Sequence, residues 1–217
     1  NKSYLINKKI LKNIVSEIKT LVSKKKEVLI VSSGALALGK KQLKTKKVIK
    51  ISEKQAAAAV GQVLLVNAWR EAFYKCKINC AQILLTHLDA EIRSSSLNAR
   101  NTIESLIKFK TIPIINENDT VATKELRYGD NDQLAARVAQ ITSSDLLILM
   151  SDVDGLYEEN PIKNPNAMLL KKIVKIDKSI ESISHNTSSS VSVGGMETKI
   201  KAAKISMASG CNMVITK

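Results

Sequence analysis

Residues 8–34 read KKILKNIVSEIKTLVSKKKEVLIVSSG, and a change of period inside this stretch decides the fold class. From Lys8 to Lys24, Ile10, Leu11, Ile14, Ile18, Leu21 and Val22 recur at three- and four-residue spacings, which predicts a helix with one apolar face. Lys24-Lys25-Lys26 closes it favourably, because cations suit the negative end of a helix dipole. Glu27-Val-Leu-Ile-Val-Ser-Ser33 is then a short apolar run ending in Ser-Ser-Gly, as a buried parallel strand would.

The same step recurs four more times. A helix from about Glu53 to Tyr74 precedes the strand-like run 79–86, and one near Ser95 to Phe109 precedes Thr111-Ile-Pro-Ile-Ile115. Asp132 to Ile141 leads to 145–150, and Met196 to Ala208 leads to 212–215. Each parallel crossover needs a dozen or more residues, which a helix supplies, so the expected fold is α/β: a three-layer αβα sandwich around a mostly parallel central sheet. Ligands in such sheets sit beyond the carboxyl ends of the strands. Lys40 to Ile51 and His185 to Gly195 break the rhythm and read as mobile loops beside those ends.

With 217 residues and 44% hydrophobic side chains, the chain can bury a substantial core, and one domain over 1–217 is the expectation. No run of 18 apolar residues exists to span a bilayer, and the start lacks the layout of a secretion signal, so a cytoplasmic location is expected. Cys76, Cys80 and Cys211 form no CxxC pair and cannot all pair with one another, which argues against a zinc site or a disulfide framework. The net charge of +14 invites a nucleic-acid reading, but its distribution argues against one. Residues 1–50 carry 14 Lys against Glu17 and Glu27, a local +12, which leaves +2 for the rest. Lysine prevails over arginine, which is preferred for bidentate phosphate contacts, and 3% aromatic content leaves little for base stacking. A Lys-rich solvated surface, with no nucleic-acid partner, is expected.

Four segments at the predicted strand ends could carry chemistry. Gly34-Ala-Leu-Ala-Leu-Gly39-Lys40-Lys41 nearly matches a phosphate-binding P-loop, but Lys41 replaces the magnesium-binding Ser or Thr, and Ala35 to Leu38 are strong helix formers. Ser32-Ser33-Gly34 still forms a strand-to-helix turn whose N–H groups and hydroxyls suit a carboxylate. Asn116-Glu117-Asn118-Asp119, with Gly129-Asp130-Asn131-Asp132, places seven acidic or amide side chains at one sheet end, more than turn and cap chemistry requires. Ser151-Asp152-Val153-Asp154-Gly155 opens like a calcium loop but lacks a glycine at its sixth place, so nucleotide contact or a plain polar turn remain as readings. Finally, Gly194-Gly195-Met196 opens a helix with Lys199 one turn inside, where glycines admit phosphates and the lysine can reach a transferring phosphoryl group. Lys201 points elsewhere.

Together these motifs resemble the amino acid kinase family. The likeness runs over nearly the whole chain and includes Ser33-Gly34-Ala35, Lys54-Gln55 with Ala59-Val60-Gly61-Gln62, Leu97-Asn98-Ala99-Arg100, residues 115–119 and 129–132, and Gly194-Gly195-Met196 with Lys199. Asn-Glu-Asn-Asp with Gly-Asp-Asn-Asp resembles the glutamate-phosphorylating branch. The resemblance implies ATP-dependent phosphorylation of the γ-carboxylate of L-glutamate, the first step of proline biosynthesis. It implies that Ser33, Gly34, Asn116, Asp119 and Asn131 contact glutamate. Ser151, Asp152 and the Gly194-Gly195-Met196 loop would contact ATP, Lys199 would stabilise the transferring phosphoryl, and Asp132 would hold the lysines in position. Magnesium would come with ATP, without a protein cage. A homo-oligomer and feedback inhibition by proline are also implied. A non-catalytic sensor of amino acid or nucleotide with the same fold, or another member of the family, is the alternative.

Three departures qualify the match. The family begins with a strand and a Lys-x-Gly-[Ser/Thr] loop, and no such segment precedes Asn1. The chain stops at Thr216-Lys217 where the family continues, so it is expected to be the ordered part of a longer protein. Ser192-Val193 stands where the family has Gly-Thr.

Overall fold

The structure, a computed structural model, describes residues 6–45, 50–122, 131–161, 164–187 and 195–217. Two compact units divide the chain, Asn1–Tyr128 and Gly129–Lys217. Among the described residues no helix is long and apolar enough to cross a membrane.

The first unit runs α1 (Lys8–Ser23), β1 (Ile30–Val31), α2 (Ala35–Gln42), α3 (Ile51–Tyr74), β2 (Asn79–Leu85), α4 (His87–Glu91), α5 (Arg93–Lys108) and β3 (Thr111–Glu117). Its sheet has the order β1-β3-β2 with both pairings parallel. Asn7 caps α1 by accepting the Lys9 and Ile10 N–H groups at 3.1 Å, and Leu11, Val15 and Ile18 form its buried stripe. That stripe joins Leu65, Trp69 and Phe73 of α3 against Ile112 and Ile114 of β3. The two-residue period of a strand sends Pro113 and Ile115 to the opposite face, where α5 packs with Ile103 fully buried. Each such buried side chain contributes about 1.5–3 kcal/mol.

The strand expected over Glu27 to Ser33 is shorter than its apolar run, because only Ile30–Val31 pair as β1. The Ser32 N–H donates to the Ile115 carbonyl at 2.9 Å, so Ile115, and with it Pro113 two residues back, turns its backbone polar groups toward β1. Proline has no N–H to offer there, and the ladder loses its next rung.

The second unit contains α6 (Asn131–Ile141), β4 (Leu146–Met150), α7 (Lys178–Thr187), α8 (Met196–Ala208) and β5 (Asn212–Thr216), with β4 and β5 parallel. Between β4 and α7 the chain makes a small antiparallel bridge, Tyr157 to Leu169. Ala135, Ala136 and Ala139 of α6 are buried, as are Ala202 and Ala203 of α8, and these small side chains let the two helices approach closely. The segment expected as a loop from His185 is helical to Thr187, and of that from Lys40 to Ile51 the first three residues belong to α2 and the last to α3.

Candidate functional site

In the first unit the Ser-Ser-Gly turn connects β1 to α2. Ser32 is buried and accepts a hydrogen bond from the Trp69 indole N–H at 2.9 Å, which anchors the turn to α3. Ser33 and Gly34 are exposed beyond it. Gly34 has φ +106° and precedes a helix whose start no described side chain caps. A side chain there would meet open space, so the conformation, not crowding, requires glycine. Ala35 to Leu38 are helical, and Gly39 serves packing: a Cβ at Gly39 would stand 1.6 Å from the Ala57 carbonyl oxygen, and one at Gly61 1.7 Å from that of Ala35. Backbone therefore touches backbone where α2 crosses α3.

The end of β3 separates ligand-type residues from turn residues within one motif. Asn118 is structural: its N–H donates to the Leu85 carbonyl at 2.9 Å, and its own carbonyl accepts from Val121 and Ala122. Asn116 is buried, and its Nδ2 donates to Gln62 Oε1 of α3 at 2.7 Å. Gln55, two turns earlier, donates from Nε2 to the Ala122 carbonyl at 3.2 Å. Asp119 is half-buried, and nothing among the described residues bonds to its carboxylate; burial pushes its pKa up.

In the second unit Lys199 is 7% exposed, and its Nζ lies 2.9 Å from Asp132 Oδ2. The Thr198 hydroxyl is 2.9 Å from the same oxygen and 2.7 Å from the Gly195 carbonyl. Among the described residues no side chain caps α8 at Gly195, so the start of this helix can meet an anion beside the Lys199 and Asp132 pair. Lys201 forms an exposed pair with Glu197 at 2.8 Å, one turn along α8. Asn131, half-buried, precedes Asp132 at the start of α6. The Ser151 N–H donates to the Thr216 carbonyl at 2.8 Å, which extends the β4 ladder, and its hydroxyl reaches Asp152 Oδ1 at 3.3 Å. Asp152 is exposed and Met196 half-buried. Gly129, Asp130, Val193 and Gly194 lie outside the described residues.

Each unit thus gathers its own set. Ser33, Gly34, Asn116 and Asp119 belong to the first; Asn131, Asp132, Ser151, Asp152, Gly195, Met196 and Lys199 belong to the second. Reading the sequence missed the supporting roles of Trp69, Gln62, Gln55 and Thr198, since only a fold reveals which partner a helix side chain meets. Among the described residues no three His, Cys, Asp or Glu side chains gather as a metal cluster.

Residues 3–217 match the amino acid kinase family. The glutamate 5-kinase of Pelagibacter ubique (strain HTCC1062) is 52% identical over 211 residues, covering 97% of this chain and 57% of that protein. That of Rhizobium johnstonii (strain DSM 114642 / LMG 32736 / 3841) is 53% identical over 201 residues, covering 92% of this chain and 52% of that protein. The chain spans a little over half the length of these curated relatives. Among solved structures, UMP kinase from Ureaplasma parvum matches with a TM-score of 0.63 at 19% identity, covering 100% of this chain and 83% of that one. This likeness shows the α/β fold with parallel strands that the helix-strand alternation predicts. The chain belongs to the amino acid kinase family.

Proposed function

We propose that this chain is one kinase domain that transfers the γ-phosphoryl group of ATP to the γ-carboxylate of L-glutamate. The observation that carries the reading is Lys199, a nearly buried cation held 2.9 Å from Asp132 beside the uncapped start of α8. A buried ammonium costs several kcal/mol to desolvate, and a dianionic phosphoryl group is a ligand that offsets this cost. The curated relatives at about half identity are glutamate 5-kinases, which supports glutamate as the acceptor.

In this reading an oxygen of the ionised glutamate carboxylate forms a bond to the γ-phosphorus. The bond from that phosphorus to the bridging oxygen breaks, and ADP leaves with the electron pair. No proton has to be removed from the nucleophile, so catalysis is positioning and charge stabilisation. Lys199 and the α8 amides meet the charge on the moving phosphoryl, and Asp132 with Thr198 fixes the lysine's direction. Ser151, Asp152 and the segment through Gly195 and Met196 hold the nucleotide. Magnesium would enter as part of the substrate, with ATP, and would supply positive charge to its phosphates.

The Ser33-Gly34 turn, with its φ +106° glycine and uncapped helix start, suits a carboxylate of the acceptor. Asn116 and Asp119 suit its ammonium group, and Asn131 adds a further amide contact. Ionised Asp119 in a half-buried place without a described partner calls for a cation, which the amino group supplies.

A coupled ADP-release assay on the full-length gene product tests this. Turnover with MgATP should depend on glutamate; ADP release indifferent to glutamate, or none, would favour the non-catalytic sensor.

A further inference from the structure

We propose that Thr198 is a positioning residue whose hydroxyl takes the place of Lys199 on Asp132 when the lysine turns to the transferring phosphoryl group. The inference rests on the reading above, in which Lys199 meets that group. The Thr198 hydroxyl has one proton and two acceptors in reach: Asp132 Oδ2 lies 2.9 Å from its Oγ1, and the Gly195 carbonyl oxygen 2.7 Å. A carboxylate and a carbonyl only accept, so chemistry fixes the hydroxyl as donor in both contacts. Rotation about its C–O bond decides which acceptor holds the proton.

The two acceptors are served unequally. The Gly195 carbonyl also takes the Thr198 N–H at 3.1 Å and the Lys199 N–H at 3.4 Å, and it keeps both when the hydroxyl turns away. Asp132 Oδ2 takes Lys199 Nζ at 2.9 Å, and the lysine and aspartate side chains are only 9% and 21% exposed, so little water is at hand to replace the ammonium. When Lys199 directs its charge to a phosphoryl group, the carboxylate becomes the stronger acceptor, because hydrogen bonds to ionised groups are roughly twice as strong as those between neutral ones. The hydroxyl proton then turns from Gly195 to Asp132, and no covalent bond to hydrogen breaks. Without that donor, a poorly solvated carboxylate would hold the lysine back. Thr198 and Lys199 are consecutive at the start of α8, so the donor that stays and the cation that leaves converge on one oxygen.

Steady-state kinetics on the full-length gene product with MgATP and glutamate test the assignment. Thr198→Val keeps the shape and removes the hydroxyl. Its kcat should fall about tenfold or more, the worth of a hydrogen bond to a charged group, while both KM values stay within about twofold. Thr198→Ser returns the hydroxyl and should bring kcat back to within about threefold of the parent. In a Lys199→Ala background no ammonium has to leave Asp132, so Thr198→Val should lower kcat by less than about twofold further. If circular dichroism shows that the valine variant does not fold, Thr198→Ala is compared with Thr198→Ser in its place. A parent-like kcat without the hydroxyl, a serine variant as slow as the valine one, or effects that multiply with Lys199→Ala would each overturn the inference while leaving the function standing. So would a raised ATP KM at unchanged kcat, which would tie the hydroxyl to Gly195 instead. Absence of glutamate-dependent turnover in the parent protein would refute the function, and this assignment with it.

Discussion

Replacing Gly61 by alanine adds one methyl group, and the structure states where it would go: 1.7 Å from the Ala35 carbonyl oxygen and 2.6 Å from the Gly39 nitrogen. Both neighbours are backbone, so no rotamer change relieves the clash. A carbon and an oxygen tolerate about 3.3 Å, so α2 would have to retreat by roughly 1.5 Å, more than a close-packed interface absorbs. Overpacking costs about 1–3 kcal/mol where side chains can yield, and rigid backbone puts this site at or above the upper end. Alanine's advantage over glycine in a helix interior, about 1 kcal/mol, offsets only part of that. The expected net loss is about 2–3 kcal/mol, or a fall of roughly 4–12 °C in Tm for a chain of this size. Because α2 begins at the Gly34 turn and Gln62 adjoins Gly61, the glutamate KM should rise as well. The control is Gly210→Ala, at φ +78° with open space around it, which should cost only the left-handed conformation, about 1–2 kcal/mol, and leave KM alone. Differential scanning calorimetry and steady-state kinetics on both variants make the comparison. A Gly61→Ala protein as stable as the parent, or a Gly210→Ala protein with the larger loss, would refute the backbone-contact argument.

Lys199→Ala should lower kcat by on the order of 10²–10³, the worth of one preorganised electrostatic contact to the transition state, and a loss under threefold in single-turnover kinetics would remove the lysine from the mechanism. Asp132→Ala, by contrast, leaves Lys199 buried without this carboxylate and should cost stability too, about 3–5 kcal/mol by urea denaturation; a loss below about 1 kcal/mol would mean that the pair is not a buried one. Asp119 carries a raised pKa, so the folded chain binds its proton more tightly than the unfolded chain does. Its contribution to stability therefore falls as pH rises from the ordinary carboxylate range through the raised value, and Asp119→Asn should abolish that slope in denaturation curves taken across the window. An ammonium ligand favours the ionised form, so glutamate affinity should rise with pH over the same window in the parent and stay weak and flat in the variant, as titration calorimetry would record. Trp69→Phe removes the donor to Ser32 and part of a buried ring, and should cost about 1–3 kcal/mol while weakening glutamate binding through the adjacent turn; unchanged KM would separate that turn from the site.

What could be read from the order of residues alone was whatever depends on neighbours in sequence. The period of Ile10, Leu11, Ile14 and Ile18 makes α1 a helix, and apolar runs such as 146–150 make strands, because burial of one face is a local pattern. The resemblance to the amino acid kinase family implied that Asp132 holds the lysines in position, and the fold places Lys199 Nζ 2.9 Å from Asp132 Oδ2. Three features lay beyond that reach. The length of β1 depends on Pro113, which is more than eighty residues away and withholds a hydrogen bond from a run that by itself looks like a full strand. The need for glycine at 39 and 61 exists only because two helices cross there, and neither position has an unusual local signature. Asn116 and Asn118 are chemically the same two residues apart, yet one is committed to closing a turn and the other to a buried bond with Gln62. Local pattern specifies which elements form; only their packing determines which polar groups are satisfied within the fold and which are left facing a ligand, since hydrogen-bond partners are assigned by proximity in space.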